Sequence, residues 1–340
     1  MKICIDARML FSSGIGTYLQ NVIPIIAPFF DITLLTTKKD VTWNKNISAI
    51  GVDIPIYSYK EQLLLPFIIP PCDLFWSPHY NIPLLPIRAK KRAVTIHDVC
   101  HLAHPNFFPK IKRYIGYKVL QRAAYKSDLI MTVSEYSKKE ICSYLGTKES
   151  SIEVIWNGVN KNIPSICPKQ FHLTDHPFVL FVGNMKPHKN TERLIKAFLE
   201  LPSKYHLVMV IPKKEILPPN PRIHCLHELS KEELSFLYEN ASLLVQPSFY
   251  EGFGLVPLEA MQKGCPVIVS NQASFPEICA DAAFYIDPHN TKSIYRGMKK
   301  VLEDPFLRRD LIEKGYKRTE AFSWETSGLK IKDLFIEVLS

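Results

Sequence analysis

The feature that most constrains this chain is a repeated switch in the period of its apolar residues. Short runs rich in Ile, Val and Leu at residues 2–6, 32–36, 73–77, 93–97 and 128–133 are separated by stretches of helical period, among them 110–126 and 134–145. Strands that read as continuous apolar runs are buried on both faces, and successive parallel strands need a long crossover. The alternation therefore predicts a parallel sheet with helices on both sides. The first run leads through residues 12–16, read as a glycine loop, into a helix predicted over 17–27.

The pattern lapses into a proline-bearing, aperiodic stretch at 164–177 and restarts at Phe178-Val179-Leu180-Phe181-Val182-Gly183. The second half then reads as helix 191–199, strand 206–211, helix 231–239, strand 242–246, helix 254–263 and strand 266–269, with helices at 291–303 and 305–321. A last helix, 324–339, has no obvious partner within its own half. The expected architecture is α/β, with two Rossmann-like, doubly wound parallel-sheet domains. The first spans 1–165 together with a C-terminal crossover helix, 324–340, and the second spans 170–322.

With 340 residues, 46% hydrophobic and 22% charged, the chain has the composition of an ordered globular protein of two domains. No uninterrupted apolar run reaches the roughly 18 residues that a membrane-spanning helix needs. Asp6 falls inside what would be the apolar region of a signal peptide, so the expected location is cytoplasmic. The eight cysteines form no Cys-x-x-Cys pair and read as reduced, mostly buried thiols. The formal net charge of +9 predicts attraction to an anionic partner. No basic-aromatic recognition motif or zinc module accompanies that charge, so nucleic acid is not the expected partner.

The most informative stretch is Ser248-Phe249-Tyr250-Glu251-Gly252-Phe253-Gly254-Leu255-Val256-Pro257-Leu258-Glu259-Ala260-Met261, which follows a strand and opens a helix. Open α/β sheets bind ligands at the carboxyl ends of their strands, where Glu251 stands. Gly252 and Gly254 permit close backbone approach, and amides at the helix start face an anion such as a diphosphate. Glu259 lies about a turn and a half further on, so both carboxylates are expected to accept hydrogen bonds from sugar hydroxyls in one crevice.

This stretch resembles the Glu-x7-Glu signature of the retaining family 4 glycosyltransferases, a family with the GT-B fold of two domains facing across a cleft. The resemblance implies that Glu251 binds the donor sugar, that Phe253, Gly254 and Leu255 present backbone amides, and that Glu259 holds the ribose. It extends over nearly the whole chain. Phe181 to Asn190 is similar to the strand-end loop that grips the donor diphosphate, with Lys189 at the phosphate-binding position and Asn184 where many relatives carry Arg. Asp6-Ala7-Arg8 followed by Gly14-Ile15-Gly16-Thr17-Tyr18 resembles the first strand and glycine loop, which implies donor contacts at Gly14 and Gly16 and acceptor contacts at Arg8 and Tyr18. A dinucleotide dehydrogenase would require a third glycine where Leu19 stands and an acidic end to the second strand, which runs out in Thr36-Thr37-Lys38-Lys39.

Ala93 to Asp98 ends in a His-Asp pair similar to the family's donor-sugar histidine, so His97 is assigned to the sugar hydroxyls and to developing positive charge, with Asp98 orienting it or meeting the acceptor. The sequence from His97 to His104 also crowds imidazole and thiol groups, but no second ligand cluster has zinc spacing, so no metal site is expected. Ser134 is a candidate N-cap at a junction whose family counterpart faces the acceptor. Leu229 falls in a segment that resembles the one reading the nucleotide base.

The resemblance implies a hexosyltransferase with His97, Asp98, Lys189 and Glu251 at its centre. The expected reaction moves mannose or a similar hexose from GDP-mannose or a UDP-sugar to a hydroxyl of a glycan or lipid-linked acceptor, as in cell-surface polysaccharide synthesis. Retention is implied, and the absence of an Asp-x-Asp motif predicts independence of metal and of any cofactor beyond the nucleotide-sugar. A sugar-nucleotide-binding protein without transferase activity and a glycosyl phosphorylase of the same architecture stay open as alternatives. Residues 88–92 (Arg-Ala-Lys-Lys-Arg) and 110–114 (Lys-Ile-Lys-Arg-Tyr) are expected to dock peripherally on an anionic membrane surface or a lipid-diphosphate acceptor.

Overall fold

A computed structural model describes residues 1–37, 46–169, 171, 176–213, 215, 217 and 219–340. They divide into two compact units, Met1–Gly158 with Ser323–Ser340, and Val159–Phe322. The predicted strand end at Lys38-Lys39 lies outside the described residues, as does part of the aperiodic stretch 164–177.

The first unit runs β1 (Lys2–Asp6), α1 (Ser13–Ile26), β2 (Asp31–Thr36), β3 (Ile47–Gly51), α2 (Tyr59–Ile68), β4 (Cys72–Ser77), β5 (Ala89–Thr95), α3 (Cys100–Ala103), α4 (Lys110–Lys126), β6 (Leu129–Thr132), α5 (Glu135–Leu145) and β7 (Ile152–Val154). Its strands form one sheet in the order β3-β2-β1-β4-β5-β6-β7. Every neighbouring pair is parallel. The central strands carry their apolar residues on both faces: Ile3, Cys4 and Ile5 of β1 are all buried, as are Leu74, Phe75 and Trp76 of β4.

The second unit runs β8 (Phe178–Val182), α6 (Thr191–Leu199), β9 (His206–Val210), β10 (Ile223–Leu226), α7 (Lys231–Asn240), β11 (Leu243–Gln246), α8 (Leu255–Gln262), β12 (Val267–Ser270), α9 (Phe275–Cys279), β13 (Phe284–Ile286), α10 (Thr291–Glu303) and α11 (Pro305–Thr319). The sheet order is β10-β9-β8-β11-β12-β13, again parallel throughout. The last helix, α12 (Trp324–Leu339), belongs to the first unit and packs on α1 and β4, with Phe335 meeting Phe30 and Trp76 of β4 at ring-centroid distances of 6.1 and 5.4 Å.

Two local expectations need correction. Residues 12–16 are not a glycine loop ahead of the helix: α1 starts at Ser13 and takes Gly14 and Gly16 into its first turns. The loop is residues 7–12, and a Cβ on Gly16 would stand 2.8 Å from the Leu10 carbonyl oxygen that closes it. The strand read as 93–97 runs from Ala89 to Thr95, which leaves His97 and Asp98 beyond its end. The strands not read from sequence are short or lie at sheet edges, such as β3, β7, β10 and β13. Helix α2 escaped notice because it carries Pro66 within its body and turns apolar residues outward.

Candidate active site

In the second unit the donor signature folds into one cluster because β8 and β11 are neighbours, with Leu243 and Leu244 opposite Val179 and Leu180. Their carboxyl ends therefore deliver two loops to the same edge of the sheet. Lys189, from the loop after β8, and Glu251, from the loop after β11, form an ion pair at 2.5 Å (Nζ to Oε1) with side-chain exposures of 16% and 19%. The Ser248 hydroxyl donates to the same carboxylate oxygen at 2.9 Å. The Phe249 amide donates to the His188 carbonyl at 2.8 Å and so ties the two loops together.

Asn190 strengthens that tie. It sits in the left-handed region at φ 59°, and its side-chain amide donates to the carbonyls of Pro247 at 3.0 Å and Pro288 at 2.7 Å. The sequence hint was Asn itself, which tolerates this conformation better than most residues, placed directly before a helix. Ser274 was not foreseen either: its hydroxyl reaches the carbonyl oxygens of Phe253 at 2.6 Å and Glu251 at 2.9 Å, so the loop 251–253 is held from behind.

Gly254 is the N-cap of α8 at φ 111° and ψ 53°, a conformation that requires glycine, and it leaves the helix start without a capping side chain. Phe253 is buried and its ring packs on Phe322 at 5.8 Å. Gly252 and Leu255 are half-buried beside it. An uncapped helix start with a lysine nearby is an arrangement that suits a phosphate.

Glu259, on α8, has a separate partner: the Tyr238 hydroxyl of α7 donates to its Oε2 at 3.0 Å. Burial raises the Glu259 carboxyl above the ordinary value, and the Tyr238 hydrogen bond opposes that rise. Burial together with the neighbouring carboxylate pushes the Tyr238 phenol well up, so it keeps its proton and acts as the donor. Asn184 is half-buried and its side-chain oxygen accepts from the Lys186 amide at 3.1 Å, which makes it a turn former in this state. Leu229 is half-buried between β10 and the capping box that Ser230 and Glu233 build at the start of α7.

In the first unit, His97 lies two residues past β5, half-buried, with Nε2 3.0 Å from the Pro78 carbonyl and its ring edge-on to Tyr18 at 5.1 Å. A carbonyl only accepts, so Nε2 carries the proton of the neutral ring and Nδ1 keeps its lone pair. Burial lowers the His97 pKa to about 4, with the Pro78 contact and Asp98 opposing it. A neutral imidazole of this tautomer accepts a hydrogen bond from a hydroxyl at Nδ1. Asp98 does not engage the ring; its Oδ1 accepts the Cys100 amide at 2.9 Å and starts α3. His101 is ring-packed against Tyr80 and His104 against Phe107.

The three residues assigned to an acceptor are all buried and bonded inside the unit, which corrects the sequence reading. Arg8 is the hub of an ion cluster: Nε donates to Asp6 Oδ1 at 2.8 Å, Nη2 to Asp6 Oδ2 at 2.6 Å and to Glu61, and Nη1 to the Ile54 carbonyl at 3.2 Å. Burial alone would raise the Asp6 pKa, but Arg8 and His79 hold it well below the usual carboxylate range. Tyr18 is 1% exposed among Trp76, His97 and Trp324. Ser134 is the N-cap of α5 and accepts the Ser137 amide at 3.0 Å. A guanidinium with no exposed side-chain surface, set between two carboxylates, holds β1 and α2 together.

Among the described residues no group of three His, Cys, Asp or Glu side chains is placed to hold a metal ion. No described helix is long and apolar enough to cross a membrane.

Comparison with known proteins joins this geometry to a family. Residues 163–318 match the family described as glycosyl transferases group 1, and residues 62–162 match Glycosyltransferase Family 4. O-antigen chain mannosyltransferase B of Escherichia coli is 30% identical over 262 residues, spanning 71% of this chain and 69% of the relative. O-antigen chain mannosyltransferase RfbU of Salmonella typhimurium is 31% identical over 260 residues, spanning 74% and 70%. Among solved structures, sucrose-phosphate synthase from Thermosynechococcus elongatus superposes with a TM-score of 0.80 at 18% identity, covering 99% of this chain and 98% of its own. Alr3699/HepE of Anabaena in complex with UDP-glucose gives a TM-score of 0.80 at 15% identity, covering 99% and 100%. With these family matches and relatives beside the two parallel sheets, the chain belongs to the glycosyl transferases group 1 and is a glycosyltransferase of the GT-B fold.

Proposed function

We propose that this glycosyltransferase moves a hexose, mannose or a close relative, from a nucleotide-diphosphate sugar to a hydroxyl of a glycan or lipid-linked acceptor in cell-surface polysaccharide synthesis. The observation that carries the reading is the Lys189–Glu251 pair beside the uncapped start of α8. Lys189 exchanges its carboxylate partner for the donor diphosphate, and Glu251, held by Ser248, turns to the sugar hydroxyls. Glu259, oriented by Tyr238, accepts from the ribose diol. His97 accepts from the donor sugar through Nδ1. The names of the two O-antigen mannosyltransferases support mannose and a polysaccharide acceptor.

The reaction proceeds with retention. The bond from the anomeric carbon to the leaving phosphate oxygen breaks while the acceptor oxygen bonds to that carbon from the same face, and the acceptor proton passes to the departing diphosphate. Lys189 and the amides of α8 stabilise the charge that develops on the leaving group, so no divalent ion or further cofactor takes part. The protein associates peripherally with an anionic membrane surface where its acceptor resides.

The test is turnover of GDP-mannose and of a UDP-sugar panel with a lipid-linked glycan. Nucleoside diphosphate should be released only when the hydroxyl acceptor is present, in chelator as well as in buffer, with the product keeping the donor's anomeric configuration by NMR. Turnover that needs orthophosphate would replace this reading with a phosphorylase. Binding of nucleotide-sugar without release would leave only a binding protein.

A further inference from the structure

Two helices of the first unit turn their apolar stripes outward. Along α2, Lys60, Leu63, Leu64 and Phe67 are all exposed at helical spacing, with Phe67 74% exposed, while Glu61 and Leu65 point inward. Along α4 the exposed stripe is Ile111, Tyr114, Ile115, Lys118, Arg122 and Tyr125, with Ile111 70% exposed. A soluble surface helix normally shows the reverse pattern, and clustered exposed side chains of this size mark an interaction face.

The two stripes are joined by the loop before β5. Leu84 gives its amide to the Gln62 side chain at 2.9 Å and its carbonyl to Arg122 Nη2 at 2.7 Å. An open groove of about 640 Å³ runs between Leu84 and α4.

The charge of this face is one-sided. Helix α4 carries six basic and no acidic residues over 17 positions, about 25 Å of helix at 1.5 Å per residue. Among the described residues no carboxylate forms an ion pair with any of those six cations. The basic run 88–92 differs. Lys90 pairs with Asp73 at 2.8 Å and Lys91 with Asp128 at 3.0 Å, while Arg88 and Arg92 donate to backbone carbonyls. Both lysines of that run have carboxylate partners, whereas the charge without such partners lies on α4.

We infer that the joined outer stripes of α2 and α4 form the face by which this protein lies on a bilayer containing anionic lipids. Leu63, Phe67, Ile111 and Ile115 enter the acyl boundary, Tyr114 and Tyr125 sit at headgroup depth, and Lys110, Lys112 and Lys118 reach the lipid phosphates, their stems covering apolar surface. Charge complementarity selects this occupant: lysines interleaved with aliphatic residues and free of carboxylates suit a surface of phosphates over hydrocarbon. The inference gives residues to the membrane association proposed above and does not depend on the donor assignment, since vesicle binding requires no nucleotide-sugar.

The test is flotation of the full chain with phosphatidylcholine vesicles and with vesicles half phosphatidylglycerol. Binding should be confined to the anionic vesicles and weaken as salt rises. Lys110→Glu/Lys112→Glu/Lys118→Glu should lower it by at least about 100-fold, at roughly 1 kcal/mol per removed cation. Leu63→Ser/Phe67→Ser/Ile115→Ser should lower it by at least about tenfold, given roughly 25 cal/mol per Å² of apolar surface withdrawn. Phe306→Ser, at an 85% exposed position of α11 in the other unit, should leave it unchanged. Because every substituted side chain is exposed, an unaltered melting temperature would show that these variants fold. No binding by the wild type, equal binding to both vesicles, or full binding by the charge-reversed variant would overturn the inference. So would self-association in solution, abolished by the apolar variant, with no vesicle binding.

Discussion

The neutral His97 ring predicts an acid sensitivity of the first unit that can be worked in advance. Burial takes its pKa from 6.5 to about 4, so below pH 6.5 the unfolded chain binds a proton that the folded chain refuses. The contribution of this residue is complete above pH 6.5 and is lost as the pH falls towards 4. Linkage over that displacement gives a loss of about 2 kcal/mol between pH 7 and pH 5, with a slope close to one proton per molecule. His97→Gln removes the titration and keeps an amide able to donate to the Pro78 carbonyl. Asp6 does not interfere, because its depressed pKa costs stability only below its unfolded value of 3.8. His101 is also lowered, chiefly by burial, but it contributes to both proteins and cancels in the difference. The assay is urea unfolding at several pH values followed by tryptophan fluorescence. The described tryptophans, Trp76, Trp156 and Trp324, all belong to the first unit, so their signal reports on that unit without His206 or His224 of the second. Parallel stability–pH lines for wild type and His97→Gln between pH 7 and pH 5 would refute the buried neutral imidazole.

Lys189→Ala should cut kcat by about 10²–10³, the usual cost of removing one group that stabilises a leaving anion, as measured by diphosphate release; a rise in donor KM with kcat intact would instead make Lys189 a ground-state anchor. Tyr238→Phe leaves Glu259 Oε2 without its donor and should raise donor KM about fivefold at nearly constant kcat, since one hydrogen bond contributes about 1 kcal/mol; an unchanged KM would separate Tyr238 from ribose binding. Gly158→Ala would place a Cβ 2.1 Å from the Trp324 amide nitrogen, where backbone has to yield. It should cost about 2–4 kcal/mol, read from the tryptophan-detected unfolding midpoint, and an unaltered midpoint would show that α12 is loosely seated.

Much of the second unit around residues 248–261 was legible because its signals are local. Gly254 occupies a conformation that only glycine accepts readily, α8 begins right after it, and Glu259 follows on that helix, so the stretch 248–261 announces strand, turn and helix by itself. Helices α4, α6, α10 and α12 begin and end where their helical period predicts, and Asn290 and Ser323 cap the starts of the last two. Legibility failed where a residue's partner lies far away in sequence. The spacing Asp6-Ala7-Arg8 says nothing of Glu61, yet Glu61 and Asp6 together bury the guanidinium that the sequence reading gave to an acceptor.

The order of apolar periods by itself determined that this chain makes two parallel α/β sheets, because strand and helix periodicities are written in consecutive residues. Sheet order was decided only by tertiary structure: β8 lies beside β11, and that adjacency brings Lys189 to Glu251 across 62 residues of sequence. Tertiary structure likewise decided which cations have carboxylate partners. The run 88–92 and helix α4 look equally basic as letters, but only folding brings Asp73 and Asp128 to the former and leaves the latter facing solvent with its apolar neighbours. Charge and hydrophobicity belong to residues, whereas compensation of charge belongs to contacts, and contacts exist only once the chain has closed on itself.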